Sequence, residues 1–324
     1  MENAKDTIVA KAKRAMLCLT RQCWEQGIAA HALMDEGDYG RLAIVVHDIV
    51  TRQSADGRLC NIENTPAVVD SSFCMEPVLF MGRRLKRDDY LAAVDKNINY
   101  LLNEAEKTAD GVLYHIMGKE EIWADSAAFF PAALAMTGRV DDGIKQMQGI
   151  LGRLRDEETG LYYHMWDEKR QKYNRKVLWG VGNGWIITGL LRLHGALPKE
   201  RRAEREKLKS ELNAFLSTML SFKNGDGLFY DDMNDPKSYV ETESAEMVAY
   251  TIYRGVLEGV IPADYLAEAD NMRLAIRKKI GENGLVTDCA GSPDFLRPGT
   301  SAEGQAHFLM MENSRRKLVD SGRL

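Results

Sequence analysis

The sequence predicts an all-α fold: six helical hairpins closed on themselves into an (α/α)6 toroid, forming a single barrel domain over residues 1–324. Three observations carry that expectation. A glycine turn followed by an apolar residue recurs five times, at Gly57, Gly111, Gly160, Gly227 and Gly284. After each turn come a variable loop and a strongly apolar helix. Between each apolar helix and the next turn lies a second, more charged helix. A period of about 50–60 residues is longer than the common solenoid repeats. An open superhelix is the alternative arrangement of the same hairpins.

The elements follow in order. The first twenty residues, MENAKDTIVAKAKRAMLCLT, are interrupted by Lys11, Lys13 and Arg14. They lack the apolar core of a signal peptide and read as an amphipathic helix, opening a less regular first unit. The apolar helices of the later units start at Ser71 (SSFCMEPVLFMGRRL), Asp125 (DSAAFFPAALAMTG), Asn183 (NGWIITGLLRLHG), Glu243 (ESAEMVAYTIYRGVLEG) and Ser301 (SAEGQAHFLMMENSRRKL). They are apolar nearly all round, as helices packed on several sides should be. Thr300 with Glu303 fits a capping box at the last of them. Charged partner helices run from Asp88 (DDYLAAVDKNINYLLNEAEK) and from Arg201 to Leu220. Strand signals are weak: the aromatic stretches after the glycines suit brief extended pairs and nothing larger.

Hydrophobic residues make up 45% and charged residues 28%, an ordinary globular balance that can bury a large core. A net charge of −5 gives no support to a nucleic-acid partner. No apolar run approaches a membrane span. Five cysteines (Cys18, Cys23, Cys60, Cys74, Cys289) form no C-x-x-C pair and read as free thiols in a reducing cytoplasm. No His/Cys/Asp grouping has metal-ligand spacing, so no zinc is expected. The stretch Gly180-Val181-Gly182-Asn183-Gly184 lacks the lysine and the preceding strand of a phosphate loop. Gly-x-Ser-x-Gly is absent. A homo-oligomer is compatible with the sequence.

In a closed toroid the loops before the inner helices meet at one end and form a funnel. Those loops hold His115, Trp123 and Asp125; then His164, Trp166, Asp167, Trp179, Asn183 and Trp185; then Tyr230, Asp231, Asp232, Tyr239, Glu241 and Glu243. Four of the five tryptophans, all but Trp24, fall in or beside two adjacent loops. Aromatic faces stack on sugar rings, and carboxylates bond hydroxyls or move protons, so an oligosaccharide is the expected partner. Asp125 reads either as a helix cap or as an acid held near Trp123, Phe129 and Phe130, surroundings that should raise its pKa. Asp70 begins the equivalent helix one unit earlier and is the candidate second carboxylate, with Ser71 and Ser72 competing for the same place. His115 and His164 each follow a turn glycine by four residues, which suggests equivalent positions in one cavity.

At these motifs the sequence resembles the unsaturated rhamnogalacturonyl and glucuronyl hydrolases, glycoside hydrolase families 105 and 88, from about residue 35 to 312. The motifs are GLYYHMWDE (160–168), WGVGNGW (179–185), ETESAEMVAYTIYRGVLEG (241–259), GTSAEGQAH (299–307) and IWADSAAFF (122–130). The resemblance implies an (α/α)6 barrel, no cofactor and a substrate bearing a 4,5-unsaturated uronic acid at its non-reducing end. Asp125 would protonate C4 of the enol ether and activate water, with Asp70 assisting. His115 and His164 would contact the uronate or its neighbour, while Trp123, Trp179, Asn183 and Trp185 would line the sugar site. The family often has a basic residue in the middle of the WGVGNGW motif, where this chain has Val181; Lys119, Arg175 and Lys176 are the cations available in its place. A sugar epimerase or conventional glycosidase on the same toroid, and a non-catalytic glycan-binding protein, are the competing readings.

Overall fold

A computed structural model describes residues 7–61 and 65–324. Twelve long segments alternate between a peripheral and a central layer. The outer helices are α1 (Thr7–Leu19), α3 (Tyr39–Thr51), α5 (Asp88–Asn99), α8 (Val140–Leu154), α10 (Arg202–Ser221) and α12 (Leu266–Arg277). The inner ones are α2 (Cys23–Glu36), α4 (Met75–Leu85), the short pair α6 (Ser126–Phe129) and α7 (Pro131–Met136), α9 (Gly180–Ala196), α11 (Glu243–Leu257) and α13 (Ala302–Asp320). The amphipathic helix expected at the start is present from Thr7; residues 1–6 of that stretch lie outside the described residues.

The two layers differ as their sequences require. Helix α8 buries Val140, Gly143, Met147, Ile150, Leu151 and Leu154, a single face at helical spacing. Helix α9 is buried at every position from Gly180 to His194, because it packs on all sides. Each inner helix packs against the next, and α13 packs against α2, so the ring closes. That contact excludes the open superhelix. Among the described residues, no helix is long and apolar enough to cross a membrane.

All five repeat glycines have positive φ, from 76° at Gly160 to 96° at Gly57, the left-handed region that other residues adopt only under strain. Helical amides clip three of these turns. Asn97 Oδ1 accepts from Leu59 N, Gln146 Oε1 accepts from Leu113 N, and Asn183 Oδ1 accepts from Tyr162 N, each at 2.9–3.0 Å.

Several boundaries differ from expectation. The segment from Asp70 begins as a tight 3-10 turn, Asp70–Cys74, before α4. The helix expected from Asp125 is split after Phe129, because Pro131 has no N–H to give the Ala127 carbonyl and its ring would clash with that carbonyl. Helix α9 starts three residues before Asn183. The cap of α13 is Ser301, whose hydroxyl accepts from Gly304 N at 2.9 Å, and not Thr300; Glu303 turns inward to accept from Trp24 Nε1 instead.

The loop end also carries more strand than expected. Strands β1 (Glu121–Trp123), β2 (Met165–Asp167) and β3 (Lys172–Arg175) form one antiparallel sheet. Trp123 pairs with Met165, and Met165 with Arg175, so two loops are joined side by side. Two-stranded pairs β4–β5 (Phe229–Tyr230 with Val240–Glu241) and β6–β7 (Cys289–Ala290 with Pro298–Gly299) stiffen the later loops.

Candidate active site

The loops enclose a cavity of about 470 Å³ at this end of the ring. Asp70, His115, Trp123, Asp125, His164, Trp179 and Trp185 all line it, brought from three consecutive hairpins. Of the catalytic and sugar-contacting residues expected from the family resemblance, Asn183 alone stands apart. It is fully buried, and its amide donates to the carbonyls of Tyr162 and Trp179 and accepts from Tyr162 N, so it secures a loop and faces no cavity.

Backbone pairing sets two imidazole–carboxylate pairs. Val68 N donates to His115 O and His115 N donates to Glu121 O, both at 2.8 Å, which seats His115 over the Asp70 turn. Ala124 N donates to His164 O at 3.0 Å, which lays Asp125 beside His164. The distances are 3.1 Å from His115 Nε2 to Asp70 Oδ1 and 3.3 Å from His164 Nε2 to Asp125 Oδ2. The equal offset of the two histidines in the repeat therefore has a structural meaning: each meets the aspartate that opens the preceding inner helix. Ser71 and Ser72 instead bond Asn97, so Asp70 is the group presented to the cavity.

Asp125 makes no capping bond to its own helix. Its Oδ2 faces His164 Nε2 out of line for a good hydrogen bond, which leaves both atoms open to a ligand. Arg175 Nη1 lies 2.9 Å from His164 Nδ1. A guanidinium only donates, so Nδ1 is the acceptor and the neutral ring carries its proton on Nε2, toward Asp125. Burial pushes the Asp125 carboxyl up, but the adjoining His164 and the charge of His115 outweigh it and hold the pKa below the ordinary value. The raised pKa expected from the apolar neighbours is thus corrected: the two imidazoles prevail. Burial and the nearby Arg175 depress His164, despite the opposing pull of Asp125. His115 goes the other way, because the Asp70 carboxylate more than offsets its burial.

The walls are aromatic. His115 stacks on Trp123 with ring centroids 4.2 Å apart at 11°, and His164 lies 4.4 Å from Trp179. Trp185 packs edge-on against Phe73 and Phe129. Trp24 also lines the cavity, whereas Trp166 packs on Tyr173 and does not. Trp24 escaped notice because the first unit has no glycine turn to mark it. Glu243 and Arg175, both named from the sequence, line the cavity too, and so does Glu303, which the sequence suggests only as a capping partner.

Glu243 and Glu303 form an acidic wall. Glu243 takes His307 Nδ1 at 3.1 Å and Ser301 Oγ at 3.2 Å, and burial pushes both carboxyls up. Glu241, Glu243 and Cys289 offer ligand atoms within 4.8 Å of one another. The oxygens of Glu241 are already occupied by the backbone N–H groups of Glu243, Ser244 and Ala290, so this grouping works as a loop staple.

Ring-stacking faces beside acid–imidazole pairs meet the needs of sugar chemistry, and with the helical toroid they define a carbohydrate-active enzyme. The chain belongs to Glycosyl Hydrolase Family 88, whose family model matches residues 6–312 and so takes in the first hairpin as well. It is 28% identical over 242 residues to the unsaturated rhamnogalacturonyl hydrolase YesR of Bacillus subtilis, a match covering 70% of this chain and 67% of that one. It is 22% identical over 223 residues to an unsaturated 3S-rhamnoglycuronyl hydrolase of an Alteromonas species, covering 62% of this chain and 52% of the relative. Among solved structures, a possible member of the GH105 family from Salmonella enterica superposes with a TM-score of 0.83 at 19% identity, covering 96% of this chain and 93% of that one.

Proposed function

We propose that this enzyme hydrates the C4=C5 enol ether of a 4,5-unsaturated uronic acid at the non-reducing end of a lyase-generated oligosaccharide. The observation that carries this reading is Asp125: uncapped, set beside Trp123 and Trp179, with an oxygen that has no protein partner. The protonated carboxyl gives its proton to C4 as the C4=C5 π electrons form the new C–H bond. The cation left at C5 is shared with the ring oxygen. Water attacks C5, and the Asp125 carboxylate removes its proton, so the acid is regenerated. The product is a hemiketal, which opens and releases the next sugar. The sum is addition of one water. No glycosidic carbon is attacked, so the distance rule for paired carboxylates has no bearing here.

Asp70 favours the charged form of His115, and the pair orients the sugar by position and charge. Trp179 and Trp185 supply the stacking faces. The reading has one catalytic domain over residues 1–324, working on oligosaccharide in a reducing cytoplasm without nucleic-acid or membrane partners. Five unpaired cysteines and a net charge of −5 support it.

Asp125→Asn tests the proposal. Loss of enol-ether ultraviolet absorbance from an unsaturated disaccharide should stop, with thermal unfolding unchanged. A variant that keeps wild-type turnover would remove Asp125 from its role.

A further inference from the structure

We infer that Arg175 is the residue that binds the carboxylate of the substrate, in the place that Val181 leaves apolar. The inference rests on the uronyl substrate proposed above. Among the described residues that line the cavity, Arg175 is the only arginine or lysine. Lys119 and Lys176 are exposed and lie outside its lining; Lys176 sits over the Tyr163 ring.

Both lining imidazoles are engaged on Nδ1, and their Nε2 atoms face carboxylates, which disfavours an anion there. His115 has Asp70 on Nε2 and Ser126 Oγ on Nδ1, at 3.1 and 2.9 Å. His164 has Arg175 on Nδ1 and Asp125 facing Nε2. The guanidinium, by contrast, spends one N–H on His164 and stands 3.9 Å from Asp231 Oδ2. Trp179 Nε1 and Tyr239 Oη both donate to Asp231 Oδ1 at 3.0 Å, while its Oδ2 stays beyond hydrogen-bond reach of the guanidinium. Several of the five guanidinium donors therefore remain for a ligand.

The group is also held in place. Its carbon lies 5.0 Å from the centroid of Trp179, and its side chain is 19% exposed. A guanidinium stacked on an aromatic face loses little on meeting a carboxylate, because its fork is already oriented. Position agrees with the chemistry. One imidazole ring separates Arg175 from Asp125, and in a 4,5-unsaturated uronate the carboxylate hangs on C5, next to the C4 that Asp125 protonates.

The test uses the intact protein with Arg175→Gln and Arg175→Lys, and two readouts. Fluorescence of the cavity tryptophans follows binding of D-galacturonate and D-glucuronate, each against its uncharged methyl ester. Enol-ether absorbance follows turnover of unsaturated disaccharides. The wild type should prefer acid over ester by at least about tenfold. Arg175→Gln should lose that preference and raise KM at least about tenfold, while kcat moves less. Arg175→Lys should retain a reduced preference, because a point charge does not reproduce a two-pronged contact. A preference that survives intact in Arg175→Gln overturns the inference, whatever the turnover. So does a wild type that does not distinguish acid from ester. If the Gln variant does not fold, an unchanged acid-to-ester ratio in Arg175→Lys overturns it instead. Loss of the preference in a protein that hydrates no unsaturated disaccharide sustains the role of Arg175 and sinks the proposed reaction.

Discussion

Asp125 and His164 show how single residues acquire a function from their partners. Neither is unusual in the sequence, yet Arg175 fixes which imidazole nitrogen bears the proton, and that proton points at the carboxyl. The pair holds Asp125 below its ordinary pKa, after burial has pushed it the other way. A general acid works from its protonated form, so kcat/KM should fall as pH rises through the Asp125 pKa. His164→Ala removes the imidazole that holds that pKa down. Burial then acts with less opposition, and the descending limb of kcat/KM should move to higher pH even as the maximum falls. A limb that stays put in the variant would mean Asp125 does not control it. Sequence made Asp125 visible as an acid beside tryptophan. It gave the pKa shift the wrong sign, because desolvation and an imidazole partner oppose each other and only distance decides between them.

Inner helices rather than loops set the precision of the site. Helix α9 approaches the Asp125 segment so closely that a Cβ on Gly189 would stand 2.3 Å from Ala127 O, on the helix that follows Asp125. Gly189→Ala must push α9 and α6 apart. It should destabilise the protein by about 1–3 kcal/mol, read as a lower urea midpoint. It should also lower kcat more than a surface substitution of equal stability cost, since Trp185 rides on α9 and Trp179 immediately precedes it. A wild-type midpoint would show that the contact relaxes at no cost. The apolar runs were legible as inner helices because burial on all sides leaves few polar positions. Their exact ends were less legible. Pro131 and the Asp70 turn break the pattern locally, and Asn183 reads as a helix start until its bonds to Tyr162 and Trp179 are seen.

At the scale of the whole molecule, a buried charge cluster joins three inner helices. Arg192 of α9 donates to Glu76 of α4 and to His31 of α2. Burial alone would push Glu76 up; Arg192 and then His31 pull it down to about 2. A carboxyl depressed in the folded state contributes stability above its ordinary pKa and loses it as pH falls toward about 2. Arg192→Met strands Glu76 without its cation and should cost about 3–5 kcal/mol at neutral pH. The cost should shrink toward about pH 4, where the abandoned carboxyl takes up a proton. Equal losses at both pH values would assign the effect to packing instead. Glu76 and Arg192 lie 116 residues apart, so nothing local in the sequence announces the pair.

Periodicity, glycine turns and the motifs around Asp125 were sufficient by themselves to determine hairpins, their number and the family, because those features are written in residues near one another along the chain. Closure of α13 on α2, the partner of each histidine, the inward turn of Trp24 and the reach of Arg175 from a strand edge into the cavity were decided only by tertiary structure. Each depends on distances between segments that the ring brings together, and no spacing within one hairpin encodes them.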